Sequence, residues 1–237
     1  MILSSVMAST MPVLVGCVLG AIVGFLTWLV ARWYAAGSLP PAVDGAPALP
    51  AAPGQRLRKA LRGALSWRTL PLAAGMALWG GYLRWRTARF DLLVAALLLT
   101  ALLLALSLVD FRTRRLPNAL LLVLLAWAIA QTVWLGQPAL PFAGLGLLVG
   151  GGLFLLVALV GRGAMGAGDV KLAAVLGAVL GFPAVVSALL FGTIAGGVAA
   201  LALLATRRAG RKDFMAYGPY LALGAWLVWT RANGLWP

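Results

Sequence analysis

The chain is poor in groups able to do acid–base or nucleophilic chemistry, and the few it has are informative. It contains no His, and its five acidic residues are all aspartates: Asp44, Asp91, Asp110, Asp169 and Asp213. A Ser-His-Asp or Cys-His mechanism is excluded for want of His. Cys17 is the single cysteine, so one chain can build neither a disulfide nor a Cys/His zinc site. If the protein performs acid–base chemistry, aspartate must carry it, with Lys or Tyr as lesser candidates.

Two segments place an aspartate where chemistry is plausible. In Ser107-Leu108-Val109-Asp110-Phe111-Arg112-Thr113-Arg114-Arg115-Leu116-Pro117-Asn118, a long apolar run ends on Asp110 and turns through a basic stretch into Pro117-Asn118. In Gly161-Arg162-Gly163-Ala164-Met165-Gly166-Ala167-Gly168-Asp169-Val170-Lys171-Leu172, a glycine-rich loop delivers Asp169 to the start of the next helix. Taken alone, Asp169 reads equally well as a helix N-cap worth about 1 kcal/mol. Taken alone, Asp110 reads as a helix-terminal carboxylate paired with Arg112 or Arg114, although the helix macrodipole disfavours an acid at that end. Taken together, two aspartates at one membrane face can share a water. Close like charges split their titration, so that one carboxyl is ionised while the other keeps its proton, as hydrolysis by an aspartic pair requires. Burial raises both pKa values and nearby Arg112 and Lys171 lower them; the sequence leaves that balance open.

The elements that position these residues are membrane helices. Hydrophobic residues make up 63% of the 237, only 10% are charged, and the mean hydropathy is +1.00. Soluble domains carry roughly 25% charged residues. Apolar runs at about 11–30, 69–83, 92–109, 119–135, 142–160, 170–180, 184–205 and 217–230 read as spans. The expected fold is therefore an all-α, polytopic integral membrane helix bundle with about eight transmembrane segments. The 170–180 run is short for a bilayer, and either continues through Gly181 and Pro183 or sits buried among its neighbours. The organisation reads as a first span over 1–36, a short insert over 37–68 and a multi-span core over 69–237. The first run reads as a retained span and not a signal peptide.

The net charge of +14 sits in short runs between apolar segments. That is the pattern of topology signals and lipid headgroup contact; nucleic acid is not expected as a partner. With the N-terminus outside, fifteen of the nineteen basic residues fall inside and four, Arg84, Arg86, Arg89 and Arg231, fall outside. This bias supports that orientation, in which Asp110 and Asp169 lie at the cytoplasmic boundary.

Residues 37–54 are rich in Pro, Ala and Gly and read as a linker. In 55–67, Leu57, Leu61 and Leu65 recur at i, i+4 and i+8 while Arg58, Lys59 and Arg62 point elsewhere. Two readings fit equally: a short amphipathic helix on the cytoplasmic membrane surface, or a solvated basic loop. Asp44 reads as a turn residue, Asp91 as the cap of a helix beginning at Leu92, and Asp213 as a solvated charge beside Arg211 and Lys212. Trp67, Trp79, Trp85, Trp134 and Trp236 read as interfacial anchors.

The two aspartate segments resemble the prepilin leader peptidase family, which shares a GxGD motif with presenilin-type intramembrane proteases. Gly166-Ala167-Gly168-Asp169 matches that motif and is followed by Val170-Lys171-Leu172. Asp110-x-Arg112 with Leu116-Pro117-Asn118 matches the family's first aspartate segment. Tyr217-Gly218-Pro219-Tyr220 resembles its aromatic-Gly-Pro-aromatic stretch in the last helix. The similarity runs over roughly 66–230. It implies a membrane aspartic endopeptidase, needing no metal or organic cofactor, that cleaves single-span prepilin-like substrates after a Gly, on the cytoplasmic side of the bacterial plasma membrane. Residue by residue, it implies Asp110 and Asp169 as the catalytic pair. Gly166 and Gly168 shape the loop, Lys171 binds or orients near the pair, and Arg112, Pro117 and Asn118 complete the first motif. Membrane lipids are the other expected partners.

Long members of that family also N-methylate the new N-terminus and carry paired CxxC motifs after the first span. Here residues 37–67 contain no Cys, and Pro71-Leu72-Ala73-Ala74-Gly75 lacks the acid that the resemblance places near the start of the second span. A short form without zinc is expected, with methyl transfer as the alternative. A transporter or a non-catalytic scaffold are the readings from other classes; neither accounts for an aspartate pair at helix ends with no charge in mid-span.

Overall fold

A computed structural model describes residues 2–37, 53–64, 69–161, 165–206 and 216–236. These form nine α-helices and, among the described residues, no strand. In chain order they are α1 (Ile2–Gly37), α2 (Pro53–Ala64), α3 (Leu70–Arg86), α4 (Phe90–Thr113), α5 (Asn118–Leu135), α6 (Leu140–Val160), α7 (Ala167–Leu180), α8 (Ala184–Ala205) and α9 (Gly218–Ala232). The all-α expectation holds. Asp44 with most of its linker, Trp67, Arg162 to Ala164, and Asp213 with Arg211 and Lys212 lie outside the described residues.

The boundaries follow local chemistry. Pro71, Pro141 and Pro219 stand in the first turns of α3, α6 and α9, where a missing N–H costs nothing. Pro117, in an extended conformation, starts α5, and Gly136 ends it with a φ of 68°. Gly181, at a φ of 72°, stops α7, so the 170–180 run does not continue through Gly181 and Pro183. Asp91 does not cap at Leu92: α4 begins at Phe90, and Asp91 lies in its first turn, 2.6 Å from the guanidinium of Arg89. That pair is largely solvent-exposed and contributes little.

Among the described residues, five stretches are long and apolar enough to cross a membrane: Thr10–Ala35, Phe90–Thr113, Asn118–Leu135, Leu140–Val160 and Ala184–Ala205. They make the chain an integral membrane protein. The helices α3, α7 and α9 have 17, 14 and 15 residues. At about 1.5 Å per residue, α7 reaches roughly 21 Å, well short of a hydrocarbon core of about 30 Å.

The chain divides inside α4 into two compact units, Met1–Ala101 and Leu102–Pro237. In the first, α1 packs along α3, and α2 packs against α1. In the second, α7 is the hub, touching α5, α6, α8 and α9. Leu172, Ala173 and every residue from Val175 to Leu180 are buried, so protein surrounds this short helix and satisfies it where lipid would not. Its closest neighbour is α6: Gly146 and Gly177 oppose each other so tightly that a Cβ on either would strike the backbone carbonyl of the other. At the end of α7 away from Asp169, the fully buried Gln131 of α5 donates to the carbonyl of Val179 and accepts from Nε1 of Trp229 at 3.2 Å. One amide side chain thus ties α5, α7 and α9 together. The outer faces of α5, α6 and α8 are apolar and exposed, with Val133, Leu148 and Leu201 among the most open.

Candidate active site

The second unit holds a cavity of about 990 Å³ whose lining includes Asp110, Asp169, Lys171, Asn118, Phe154 and Tyr217. Gly166 and Gly168 also line it. Of the residues singled out in the sequence, Arg112 and Pro117 are not part of the wall: Arg112 is exposed on the last turn of α4, and Pro117 serves to start α5.

Asp110 reaches the cavity because of helix register. Leu103, Leu106 and Asp110 fall at i, i+3 and i+7, and all three are buried. The carboxylate therefore continues an apolar stripe inward, while the next residue, Phe111, is exposed. The helix runs one turn beyond Asp110, to Thr113, which differs from the expectation that it ends on the aspartate. Thr113 Oγ1 donates back to the carbonyl of Val109 at 2.9 Å, and Arg114 follows with a φ of 50°. That left-handed residue turns the chain toward Leu116 and α5.

Asp110 is held by α9. The backbone N–H of Gly218 donates to its Oδ2 at 3.0 Å, and the contact is buried. A Cβ at residue 218 would lie 2.8 Å from that oxygen, so only glycine lets this N–H approach so closely. Leu116 packs beside both Gly218 and Gly168, filling the space between the two motif loops. The third motif of the sequence thus contributes a backbone donor to the first aspartate. Neither Gly218 nor Leu116 was among the expected site residues; the Tyr217-Gly218-Pro219 motif was the available signal for Gly218.

Asp169 is not an N-cap. Gly166 occupies that position, in an extended conformation, and Asp169 is the third residue of α7, its own N–H bonded to the Gly166 carbonyl at 3.0 Å. From there its carboxylate lies beside Gly166, near that residue's backbone N–H. Asp169 lies just ahead of the apolar 170–180 run. Burial, and then the negative charge of Asp110, push its carboxyl up to about 6, against the smaller downward pull of the Gly166 N–H. The lowering influence of Lys171 expected from the sequence is not among these causes; the Lys171 ammonium instead donates to Oδ1 of Asn118 at 3.2 Å. That bond joins the start of α7 to the start of α5, linking the two aspartate segments across 53 positions.

The arrangement can therefore hold one carboxylate on a fixed backbone donor and, close enough to feel its charge, a second carboxyl that keeps its proton more strongly than an ordinary aspartate.

Residues 97–201 match the type IV leader peptidase family, and that segment contains both Asp110 and Asp169. The chain is 32% identical over 161 residues to a protein of Neisseria gonorrhoeae named prepilin leader peptidase/N-methyltransferase, covering 66% of this chain and 55% of that protein. Proteins of the same name from Pseudomonas aeruginosa and Burkholderia pseudomallei are 34% identical over 165 residues and 39% over 139. The Pseudomonas alignment covers 64% of this chain and 54% of that protein, and the Burkholderia alignment 55% and 44%. The chain spans about half the length of these relatives. No solved structure matches it significantly.

Proposed function

We propose that this protein is a membrane aspartic endopeptidase that removes the leader peptide of type IV prepilins or pseudopilins at the cytoplasmic face of the bacterial plasma membrane. The observation that carries the proposal is the convergence of Asp110 and Asp169 on one cavity, close enough for the charge of one to act on the other, inside the segment matched to leader peptidases. The excess of basic residues in the inside segments supports the orientation. About eight spans, with 69–237 as the peptidase core, complete the proposed architecture.

In this reading Asp110, its carboxylate stabilised by the Gly218 N–H, is the base, and Asp169 is the acid. Asp110 takes a proton from the shared water as its oxygen bonds to the scissile carbonyl carbon. Asp169 gives its proton to the carbonyl oxygen, and a neutral gem-diol forms. The diol then collapses: Asp110 passes its proton to the leaving nitrogen, the C–N bond breaks, and Asp169 recovers a proton from a diol hydroxyl. Both aspartates return to their starting states. Gly166 and Gly168 shape the loop that presents Asp169, while Lys171 and Asn118 hold the two segments in register. A helical substrate hides its carbonyls, so the scissile segment must unwind on reaching the cavity from the lipid. Its basic leader is drawn to anionic headgroups.

Gly218→Ala provides a check on the positioning of Asp110. The added methyl group displaces the Oδ2 atom, and a shift of about 1 Å at a reacting group costs roughly 10²-fold in rate. The expected result is a loss of that order in cleavage, measured on purified enzyme, at unchanged expression.

The proposal itself is tested by co-expressing the chain with several prepilin reporters and reading product N-termini by mass spectrometry. Release of a leader ending in Gly is expected. If none of the reporters is cut, a scaffold or transporter role takes its place. The name shared by the relatives also includes methyl transfer, and a mass increment of one methyl group on the new N-terminus would add that activity here.

A further inference from the structure

We infer that α2 is a docking surface for anionic lipid, seated on the membrane beside the end of α1. This goes beyond the peptidase reading and does not depend on it. The sequence allowed either an amphipathic helix or a solvated loop at 55–67; the structure forms a helix over Pro53–Ala64. Its twelve residues include Arg56, Arg58, Lys59 and Arg62 and no acid.

Two observations fix what can cover it. First, α2 is anchored to α1. Ala60 is fully buried, and the Arg56 guanidinium lies 5.9 Å from the centre of the Trp33 ring. The preceding residue of α1, Arg32, stacks at 4.7 Å on Trp28. The Thr10–Ala35 stretch is itself long and apolar enough to span, so Arg32 and Trp33 mark the level at which α1 leaves the hydrocarbon. Second, Leu57 and Leu61, one helical turn apart, are 46% and 45% exposed, and Arg58 beside them is exposed as well. Ala60 faces protein, while Leu57, Leu61 and Arg58 are left open.

A soluble polyanion would satisfy the arginines and leave both leucines in water. An anionic bilayer surface satisfies both sets: the leucines enter the acyl boundary and the cations meet phosphate groups. Cations near such a surface are attracted to its phosphates, and the exposed part of each leucine is favoured out of water. The proximity to the membrane end of α1 makes this surface the nearest available partner.

The test uses the full chain in a Cys17→Ala background, with Leu61→Cys carrying an environment-sensitive bimane. It is reconstituted in nanodiscs of phosphatidylcholine alone or with one quarter phosphatidylglycerol, each containing a spin-labelled lipid as quencher. The proposal expects at least about twofold stronger quenching in the phosphatidylglycerol discs. It also expects that difference to shrink with 0.5 M salt or with Arg58→Gln, since headgroup attraction is screened. A bimane on Gln55→Cys should remain unquenched in both. Equal quenching in the two compositions, or none in either, would overturn the proposal. If the Leu61→Cys protein does not reconstitute, Leu57→Cys gives the same reading from the same face.

Discussion

Asp169→Asn is expected to abolish cleavage while making the protein more stable above about pH 6. The two effects share one cause. The carboxyl of Asp169 is pushed from an ordinary 3.8 up to about 6 by burial and by Asp110. Between those values the folded state binds more proton than the unfolded state, so this group's contribution falls as pH rises through the window. Above it, the ionised Asp169 is a standing cost to the fold. Asn keeps the shape and removes the charge, so the variant should resist unfolding in detergent better than the parent at pH 7.5. Below about pH 3, where Asp169 is protonated in both states, the two proteins should be alike. Activity moves the other way: loss of a general acid costs about 10²–10⁴-fold. The parent's kcat/KM should carry an alkaline limb near pH 6 that reports this carboxyl. A variant less stable than the parent at pH 7.5 would contradict the burial and charge assigned to Asp169.

Gly177→Leu is expected to have the larger structural effect. Gly146 and Gly177 bring the backbones of α6 and α7 into contact, and α7 carries Asp169 on its first turn. The added side chain meets backbone and has no free space to occupy. Overpacking of this kind costs about 1–3 kcal/mol and sometimes more, against a total stability of about 5–15 kcal/mol. The variant should fail to accumulate in membranes, or unfold at much lower detergent concentration. Gly152→Leu, on the same α6 but with open space where a Cβ would project, should accumulate like the parent. Equal behaviour of the two variants would contradict the close approach.

The helices and the two aspartates were legible because their signals are long or compositional. Apolar runs mark the helices without reference to partners, and the Gly166–Asp169 loop is unusual in any chain. What escaped the reading depends on contacts between distant segments or on backbone atoms. Gly218 presents a backbone N–H, a donor with no side-chain signature, so its bond to Asp110 is visible only once α9 is placed. Of the two readings open for Asp169 alone, the cap falls because Gly166 takes that position three residues earlier, where an aspartate is the more familiar choice. Register settled the rest: Asp110 is buried because it completes a stripe with Leu103 and Leu106, and α7 can be short because other helices, not lipid, surround it. The division of the chain inside α4 leaves no mark on the uninterrupted apolar run at 92–109.

The measurement that bears most directly on the proposal is leader cleavage by four purified proteins: the parent, Asp110→Asn, Asp169→Asn and the double variant, all shown to reach the membrane. Residues that act as one unit are non-additive, since losing either member removes the function of both. The account predicts that each single variant loses about 10²–10⁴-fold and that the double variant is no worse than either. Near-parent cleavage by one single variant, or losses that multiply in the double, would contradict the assignment of Asp110 and Asp169 as a catalytic pair.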